Sequence, residues 1–207
     1  AFVDEKGAMF GEEYTLVAVA DYVLRHQPGD TVSNLSSSRA LGDVTQKLGG
    51  QYHASAVGEV NVVTLMKQTN AVIGGEGNGG IIYPELHYGR DSMVGLALFL
   101  SHLAHQKLSV SALRNTYPNY EMSKKKVTLT ADLDVDELLS RIAARYSEDQ
   151  PITIDGVKIN FTASWVHLRK SNTEPIIRIY TEAQTQIEAD DLADRFIAEL
   201  KETAASL

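Results

Sequence analysis

The chain has 207 residues, enough for one large domain or two modest ones, and its 43% apolar and 22% charged residues are typical of a soluble globular protein. It contains no cysteine, which excludes disulfides, thiolate nucleophiles and sulfur-ligated metals, and its net charge of −8 argues against nucleic-acid binding. The most apolar stretch, 93–103, is interrupted by Ser101 and His102 and is too short to span a membrane.

The N-terminal residues 1–10 are predicted to form a strand, a turn at 4–7 and a second short strand. An isolated hairpin is only marginally stable in water. The segment also lacks a starting methionine and the basic and apolar regions of a signal peptide. We therefore expect the chain to begin inside a domain, as a fragment of a longer protein would.

Strands and helices are predicted to alternate through the first half of the chain. Apolar periodicity indicates helices at 12–24, 38–48 and 60–69 and strands at 31–35, 51–57 and 71–73. After a glycine-rich stretch, Asp91 is predicted to cap a helix that ends near residue 107, and a short helix follows at 109–115. This order favours an α/β domain with a mixed, mainly parallel sheet between helices.

The polar segment 116–126, which ends in three lysines, is predicted to be the domain boundary. Beyond it the pattern indicates a strand at 127–129, a helix at 135–146, a hairpin turning at Asp155–Gly156, strands at 165–168 and 176–180, and a helix at 187–200. Such an order predicts a smaller α+β domain, with helices on one side of a mainly antiparallel sheet.

The stretch GGEGNGG at 74–80 matches G-x-G-x-x-G through Gly75, Gly77 and Gly80. A dinucleotide site needs a helix that begins at this point, because the helix N-terminus holds the pyrophosphate. Here the next residues are Ile-Ile-Tyr-Pro, which predict a strand, and Glu76 would place a carboxylate among the phosphates. The pattern therefore argues against a nucleotide-binding oxidoreductase.

The same stretch suits a loop that recognises hydroxyl groups. Glycines let the backbone approach a ligand closely. Glu76 offers two acceptor oxygens, and Asn78 offers both a donor and an acceptor, which suits a vicinal diol. The alternative is a mobile turn with a solvated glutamate, and this stretch alone does not decide between them.

A second polar stretch lies between the strands predicted at 165–168 and 176–180. It contains Arg169, Ser171, Asn172 and Thr173, and Arg178 lies on the second strand. The arginine fork matches phosphate oxygens, and hydroxyls and loop amides supply further donors. The alternative is a polar loop with two solvated arginines.

The two stretches together resemble the α-D-phosphohexomutase superfamily, whose members interconvert the 1- and 6-phosphates of glucose, mannose and free or N-acylated glucosamine. GGEGNGG is followed by R-x-S-N-T-E-P-x-x-R-x-x-x-E-A, which begins at Arg169 and matches over about fifteen positions. The resemblance implies that residues 1–11 end the second domain, 12–117 form the third and 118–207 the fourth.

The resemblance also implies roles for particular residues. Glu76 and Asn78 correspond to the family's sugar-binding loop. The phosphate that is not being transferred is held by residues that correspond to Arg169, Ser171, Asn172, Thr173 and Arg178. No residue of this chain corresponds to a catalytic or metal-binding one.

By the same resemblance, the parent enzyme is cytoplasmic and transfers phosphate through a phosphoserine, with a hexose bisphosphate as intermediate and Mg²⁺ as cofactor. Its partner molecule is a phosphorylated hexose or hexosamine. The serine and the metal loop lie in domains 1 and 2, which are missing here, so we expect this fragment alone to be inactive. The alternative is a non-catalytic sugar-phosphate-binding module.

Two positions depart from the family pattern. Ser36 or a neighbour stands where many members have a lysine, and Glu59 stands where many have a histidine. Both departures leave the substrate open. Arg90 is expected to support the sugar loop or the following helix, and Asp91 to cap that helix.

Two other groups resemble metal ligands. Asp132, Asp134 and Asp136 form D-x-D-x-D but open an amphipathic helix, where acidic residues complement the positive helix end. His102 and His105 lack a third ligand, so a solvated or core-edge pair is expected.

Overall fold

A computed structural model describes residues 1–128, 133–171 and 174–207. The chain divides into two compact units, Ala1–Asn119 and Tyr120–Leu207. In the described part of the chain, no helix combines the length and the apolar character needed to cross a membrane.

The first unit is an α/β domain. Its helices are α1 (Glu12–His26), α2 (Ala40–Lys47), α3 (Glu59–Thr69), α4 (Ser92–Gln106) and α5 (Val110–Arg114), and its strands are β1 (Thr31–Asn34), β2 (Tyr52–Ser55), β3 (Ile73–Glu76) and β4 (Gly80–Ile82). The sheet has the order β2-β1-β3-β4; β1 is parallel to β2 and β3, and β4 is antiparallel to β3. The predicted mixed, mainly parallel sheet is confirmed.

Helix α1 is the central helix of this unit and is buried along most of its length, including Leu16, Val19 and Val23. Acidic side chains lie in its first turn and basic ones in its last, which complements the helix dipole. On the sheet, Val32 and Ile82 pack with Val62, Met66 and Ala71 in a core cluster.

The N-terminal hairpin consists of an isolated bridge between Val3 and Met9. It is supported by aromatic contacts with α4, because the Phe2 ring stacks on Phe99 at 3.8 Å and the Phe10 ring meets Phe99 edge-on at 4.9 Å. These contacts supply the support that an isolated hairpin lacks.

Strand β3 continues into the glycine-rich stretch, further than the predicted strand at 71–73. A side chain at Gly74 would place its Cβ 2.6 Å from the Met66 sulfur and 2.8 Å from the Val32 carbonyl oxygen. At Gly75 the Cβ would lie 1.9 Å from the Gly80 carbonyl oxygen. These two glycines therefore permit close packing inside the domain, whereas the sequence suggested close approach to a ligand.

The second unit is an α+β domain. Its strands are β5 (Glu121–Thr128), β6 (Val157–Asn160), β7 (Trp165–Lys170) and β8 (Ile176–Ala183), and its helices are α6 (Val135–Arg145) and α7 (Gln186–Ala204). The sheet has the order β5-β8-β7-β6, and all its pairs are antiparallel.

Strand β5 corrects the prediction for the segment 116–126. The sequence predicts a polar boundary here, with a short strand after it at 127–129, but Glu121–Thr128 pairs along its whole length with β8. The strand was missed because it is mostly polar, with three consecutive lysines at 124–126 and only Met122 and Val127 as apolar residues. Leu129 lies outside the described residues.

One face of this sheet packs against α6 and α7. Alternate residues of the strands supply it, such as Leu168 and Ile179, which are register partners and join Phe196 and Leu138 in the core. Because side chains alternate along a strand, the neighbouring residues Arg169 and Arg178 lie on the opposite face.

Candidate functional site

Glu76 ends strand β3 and is held in place by two partners. Its side chain is 9% exposed; Asn34 Nδ2 donates to Oε1 at 3.0 Å, and Arg90 Nη1 donates to Oε2 at 3.3 Å. The alternative of a solvated glutamate is therefore wrong at this position. A buried carboxylate fixed on both oxygens keeps a defined direction, as a ligand-reading group requires.

Arg90 links Glu76 to Glu59 at the start of α3. The Arg90 backbone N–H donates to Glu59 Oε1 at 3.1 Å, and Arg90 Nε donates to Oε2 at 2.8 Å. These hydrogen bonds lower the pKa of Glu59 below its ordinary value, and the one from the Arg90 backbone has the largest effect. The sequence left open whether Arg90 supports the loop or the following helix, and it assigned no role to Glu59.

Gly80 makes room for Arg90 to cross the loop. A Cβ at Gly80 would lie 2.8 Å from the Arg90 Cδ and 3.0 Å from the Asn78 Oδ1. The third glycine of the G-x-G-x-x-G pattern thus serves side-chain packing. Strand β4 begins at Gly80, so no helix follows the pattern and the nucleotide-binding reading fails.

Asn78 is exposed at the tip of the turn between β3 and β4. Its Oδ1 accepts a hydrogen bond from the Gly80 N–H at 3.1 Å, and its amide nitrogen has no hydrogen-bond partner among the described residues. An open depression of about 430 Å³ borders the turn and is lined partly by Asn78, Gly79, Arg90 and Ser92. Glu76 and Asn78 therefore combine one fixed acceptor with one accessible donor.

The loop is anchored to the segment after β1, which contains Ser36 and Ser37. The Gly77 N–H donates to Ser37 Oγ at 3.1 Å, and the Ser36 N–H donates to Asn34 Oδ1 at 2.9 Å. Asn34 thus connects this segment to Glu76, which it contacts through its amide nitrogen.

Arg169 and Arg178 are direct partners across strands β7 and β8. The loop between them is closed by a hydrogen bond from the Ser171 N–H to the Ile176 carbonyl at 3.0 Å. Directly opposed residues in an antiparallel pair point to the same face. The hairpin therefore brings the two arginines of the motif side by side, next to Ser171. Asn172 and Thr173 lie outside the described residues.

The Arg169 side chain is oriented by the turn before β6. Its Nε lies 2.9 Å from the Asp155 carboxylate, and its side chain is only 20% exposed, so it is not a freely solvated arginine. Gly156 has φ 73° and approaches β7 closely, since a Cβ there would lie 2.1 Å from the Leu168 carbonyl oxygen. The tight turn thus places the Asp155 carboxylate against Arg169. The two terminal guanidinium nitrogens of Arg169 make no hydrogen bond within the described part of the chain.

His167 lies beside Arg169 on the strand and is almost fully buried. Burial is the main cause that lowers its pKa to about 4, and the positive charges of Lys158 and Arg169 act in the same direction. Its Nε2 lies 2.7 Å from the Asp155 carbonyl oxygen, which fits a neutral ring whose Nε2–H donates. His167 therefore adds no positive charge near neutral pH.

Arg178 is half-buried, and no carboxylate of the described residues forms an ion pair with it. Two neighbouring guanidinium groups repel each other unless an anion lies between them. The arrangement therefore suits a phosphate group.

The two described aspartates of the D-x-D-x-D pattern lie at the start of helix α6. Asp134 is the N-cap of α6 and accepts hydrogen bonds from two backbone N–H groups, and Asp136 pairs with Lys170 at 2.9 Å. Asp132 lies outside the described residues. Within 1–128, 133–171 and 174–207, no group of three or more histidine and acidic residues could hold a metal ion.

A buried polar cluster in the first unit was missed by sequence reasoning. His102 Nε2 lies 3.1 Å from Asp21 Oδ2 and 3.0 Å from the Tyr117 hydroxyl, which donates to the same Asp21 oxygen at 3.1 Å. Burial and the Asp21 charge raise the pKa of Tyr117. Burial raises the pKa of Asp21, but hydrogen bonds from His102 and Arg25 outweigh it, so the net shift is downward. The only sequence signal was a histidine inside an apolar helix.

Comparison with known proteins shows which family shares these features. The family model for phosphoglucomutase/phosphomannomutase alpha/beta/alpha domain III matches residues 11–120, and the model for the C-terminal domain of the same family matches 121–199. The chain belongs to the phosphoglucomutase/phosphomannomutase family. The fold and the family expected from the two sequence motifs are thereby confirmed.

Three curated relatives illustrate the range of names within this family. A phosphoglucosamine/phosphogalactosamine mutase of Sulfurisphaera tokodaii is 38% identical over 82% of this chain and 37% of its own length. A phosphoglucomutase/phosphomannomutase of Thermococcus kodakarensis is 33% identical, and a probable phosphoglucosamine mutase of Methanopyrus kandleri 31%; the alignments cover 97% and 95% of this chain and 44% of each relative. The chain therefore spans less than half the length of these relatives.

Solved structures share the fold at lower identity. A family protein from Burkholderia thailandensis superposes with a TM-score of 0.79 at 23% identity, over 97% of this chain and 43% of the other. An N-acetylphosphoglucosamine mutase of Aspergillus fumigatus, solved with GlcNAc-6P and magnesium, has a TM-score of 0.69 at 16% identity, over 96% and 49%. These similarities support the fold.

Proposed function

We propose that this chain is the sugar- and phosphate-binding part of a phosphohexomutase, an enzyme that moves phosphate between positions 1 and 6 of a hexose or hexosamine. The reaction runs through a phosphoserine and a hexose bisphosphate. In this proposal the phosphoserine and Mg²⁺ are held by domains outside these 207 residues, and we assign magnesium to no residue of this chain. The family relationship and the chemistry of two loops support the proposal.

The observation that carries the proposal is the pairing of Arg169 with Arg178 in the β7–β8 hairpin. Asp155 holds Arg169 through Nε alone, and no described carboxylate pairs with Arg178. Positively charged fork donors beside the Ser171 hydroxyl match the oxygens of a phosphate monoester. We propose that Asn172 and Thr173 complete this phosphate site, as the family motif implies.

Glu76 and Asn78 are proposed to bind sugar hydroxyls. Glu76 can accept further hydrogen bonds because each carboxylate oxygen has a second lone pair, and the Asn78 amide can donate. A mutase must bind its intermediate in two orientations, so a fixed phosphate site and a hydroxyl-binding loop suit that requirement. Positioning of this kind supplies much of the catalysis of phosphoryl transfer.

The charges around the sugar loop favour a hexosamine among the possible substrates. Glu59 and Glu76 share one guanidinium, that of Arg90, so one negative charge remains unneutralised in this network. A protonated amine on the sugar would compensate that charge, whereas a neutral hydroxyl would not. Two of the relatives described above carry phosphoglucosamine in their names.

Phosphate binding is tested with the 207-residue chain by isothermal titration calorimetry with glucose 6-phosphate. Arg178→Gln should weaken binding by at least about tenfold, because one charge-assisted hydrogen-bonding group is lost. Arg169→Ala should abolish binding. Arg141→Gln, which removes an equal charge at an exposed position on α6, is the control and should leave binding unchanged. Equal effects of Arg178→Gln and Arg141→Gln would contradict the phosphate site.

Sugar selectivity is tested with glucosamine 6-phosphate and glucose 6-phosphate at a pH where the amine is protonated. The wild-type chain should bind the amino sugar more tightly, and Glu59→Gln should reduce that preference. Glu85→Gln removes an exposed carboxylate that contacts Tyr83 instead and should keep the preference. A preference that survives Glu59→Gln would argue against the charge network as its cause.

An assay of enzymatic activity distinguishes a part of a mutase from a non-catalytic sugar-phosphate-binding module. The 207-residue chain alone should show binding without mutase turnover, since it has no proposed phosphoserine. Joined to domains that carry such a serine and a metal loop, it should support turnover, and Arg178→Gln should reduce it. Binding that never accompanies turnover in any longer protein would favour a non-catalytic sugar-phosphate-binding module.

A further inference from the structure

Three cationic residues form one row across the sheet of the second unit. Lys126 on β5 is the register partner of Arg178 on β8, and Arg178 is the register partner of Arg169 on β7. Directly opposed residues share a face, so all three side chains lie on the face opposite α6 and α7. This row cannot be recognised in the sequence, because Lys126 lies far from the other two residues along the chain.

The neighbours of Lys126 show that its position is distinctive. Lys125 lies on the helix-covered face, where its Nζ contacts Asp194 at 2.7 Å. Lys124 shares the face of Lys126 but lies two residues away, with its Nζ 5.7 Å from the centre of the Tyr180 ring. Lys126 is exposed, and within the described residues no carboxylate pairs with it.

The row is electrostatically unfavourable without a ligand. Like charges directly opposite each other destabilise a sheet, and here Arg178 has a cation on either side. Only Arg169, at one end, has a described carboxylate partner, in Asp155. A bound dianion would relieve both repulsions together.

Distances allow one ligand to reach all three residues. Neighbouring strands lie about 4.8 Å apart, so the β5 and β7 backbones are separated by about 10 Å with Arg178 between them. Lysine and arginine side chains are each long enough to cover about half that span, so the ends of all three could reach one group bound above Arg178. A phosphate monoester, with three acceptor oxygens, can accept from three donors.

We propose that Lys126 is a third cationic ligand of the phosphate group, in addition to the two arginines of the hairpin motif. The inference rests on the proposed function, because it adds a residue to the same phosphate site. Lys126 contributes a mobile point charge, whereas the arginines supply fixed forks. The competing explanation is that Lys126 only protects an edge strand from pairing with other chains.

The test uses the 207-residue chain with inorganic phosphate and with glucose 6-phosphate, titrated by calorimetry at two salt concentrations. Lys126→Gln should lower the affinity for both ligands about three- to tenfold and reduce the salt dependence of binding. Lys126→Arg keeps the charge and should retain most of the affinity. Lys124→Gln is the matched control on the same strand and face, and it should change the affinity less than twofold.

A second measurement, the unfolding temperature with and without phosphate, distinguishes a phosphate-binding Lys126 from a Lys126 that only protects the edge strand. Without phosphate, Lys126→Gln should unfold at the same or a higher temperature than the wild type, because repulsion with Arg178 is removed. Added phosphate should then raise the unfolding temperature less than it does in the wild type. An edge-protecting lysine would leave the phosphate-induced shift unchanged.

The outcomes distinguish the two proposals. Suppose that Arg178→Gln binds more weakly, whereas Lys126→Gln and Lys124→Gln bind as tightly as the wild type. This outcome would overturn the role of Lys126 and keep the phosphate site. If the wild type binds neither inorganic phosphate nor glucose 6-phosphate, both the phosphate site and the role of Lys126 are refuted.

Discussion

Protonation of His167 should destabilise the second unit as the pH falls from about 6.5 to 4. The ring is buried, and its burial together with the positive charges of Lys158 and Arg169 lowers its pKa to about 4. An unfolded chain binds a proton on this ring near its ordinary pKa of 6.5, whereas the folded chain does not until about pH 4. The stability that the neutral ring contributes is therefore complete above pH 6.5 and is lost through this window.

The magnitude follows from the difference of about 2.5 pKa units. Each unit corresponds to about 1.4 kcal/mol, so the full loss is about 3.4 kcal/mol below pH 4, and about 2 kcal/mol is lost by pH 5. Carboxylates with lowered pKa values contribute little at pH 5, because the unfolded chain is still mostly deprotonated there. The interval from pH 7 to pH 5 is thus suited to isolating histidine.

The assay is urea unfolding at pH 7 and pH 5, in buffers without phosphate, followed by tryptophan fluorescence. Trp165 is the only tryptophan of the chain and lies on the same strand as His167, so the signal reports on the second unit. The wild type should lose about 2 kcal/mol more between the two pH values than His167→Gln does.

His105→Gln is the control, since this histidine is exposed and belongs to the first unit. It should show the wild-type pH dependence. If His167→Gln is too unstable to measure, His167→Asn offers the same test with a smaller neutral side chain. An identical loss of stability in the wild type and in the His167 variants would refute the assignment of the pH effect to this ring.

Three further predictions concern stability. Gly74→Ala should destabilise the first unit by about 1–3 kcal/mol, since the new methyl group collides with Met66; calorimetry that shows no change would contradict the close-packing role. Tyr117→Phe removes a hydrogen bond to buried Asp21 and should lower the stability of the first unit by about 1–3 kcal/mol in the same measurement. An unchanged stability would mean that the cluster is dispensable. Asp134→Ala removes the cap of α6 and should cost about 0.5–2 kcal/mol by tryptophan fluorescence, whereas an unchanged midpoint would mean that the cap is redundant.

Most of the local structure can be predicted from the amino-acid sequence alone. Apolar periodicity placed the helices from α1 to α7 within a few residues, because burial on one face imposes a period that the chain must carry. It also indicated that Asp91 caps α4, which the structure confirms with two hydrogen bonds to its side chain. The glycine-rich stretch at 74–80 and the motif that begins at Arg169 were together sufficient to suggest the family.

Contacts between residues that are distant along the chain became visible only in the folded domains. Strand β5 carries no apolar alternation, so its pairing with β8, and with it the position of Lys126 beside Arg178, depended on register. The contact of Glu59 with Arg90 likewise joins separate elements of the fold. Local patterns report burial and caps within one element, whereas charges that face each other across strands and loops are set by packing, which no single segment encodes.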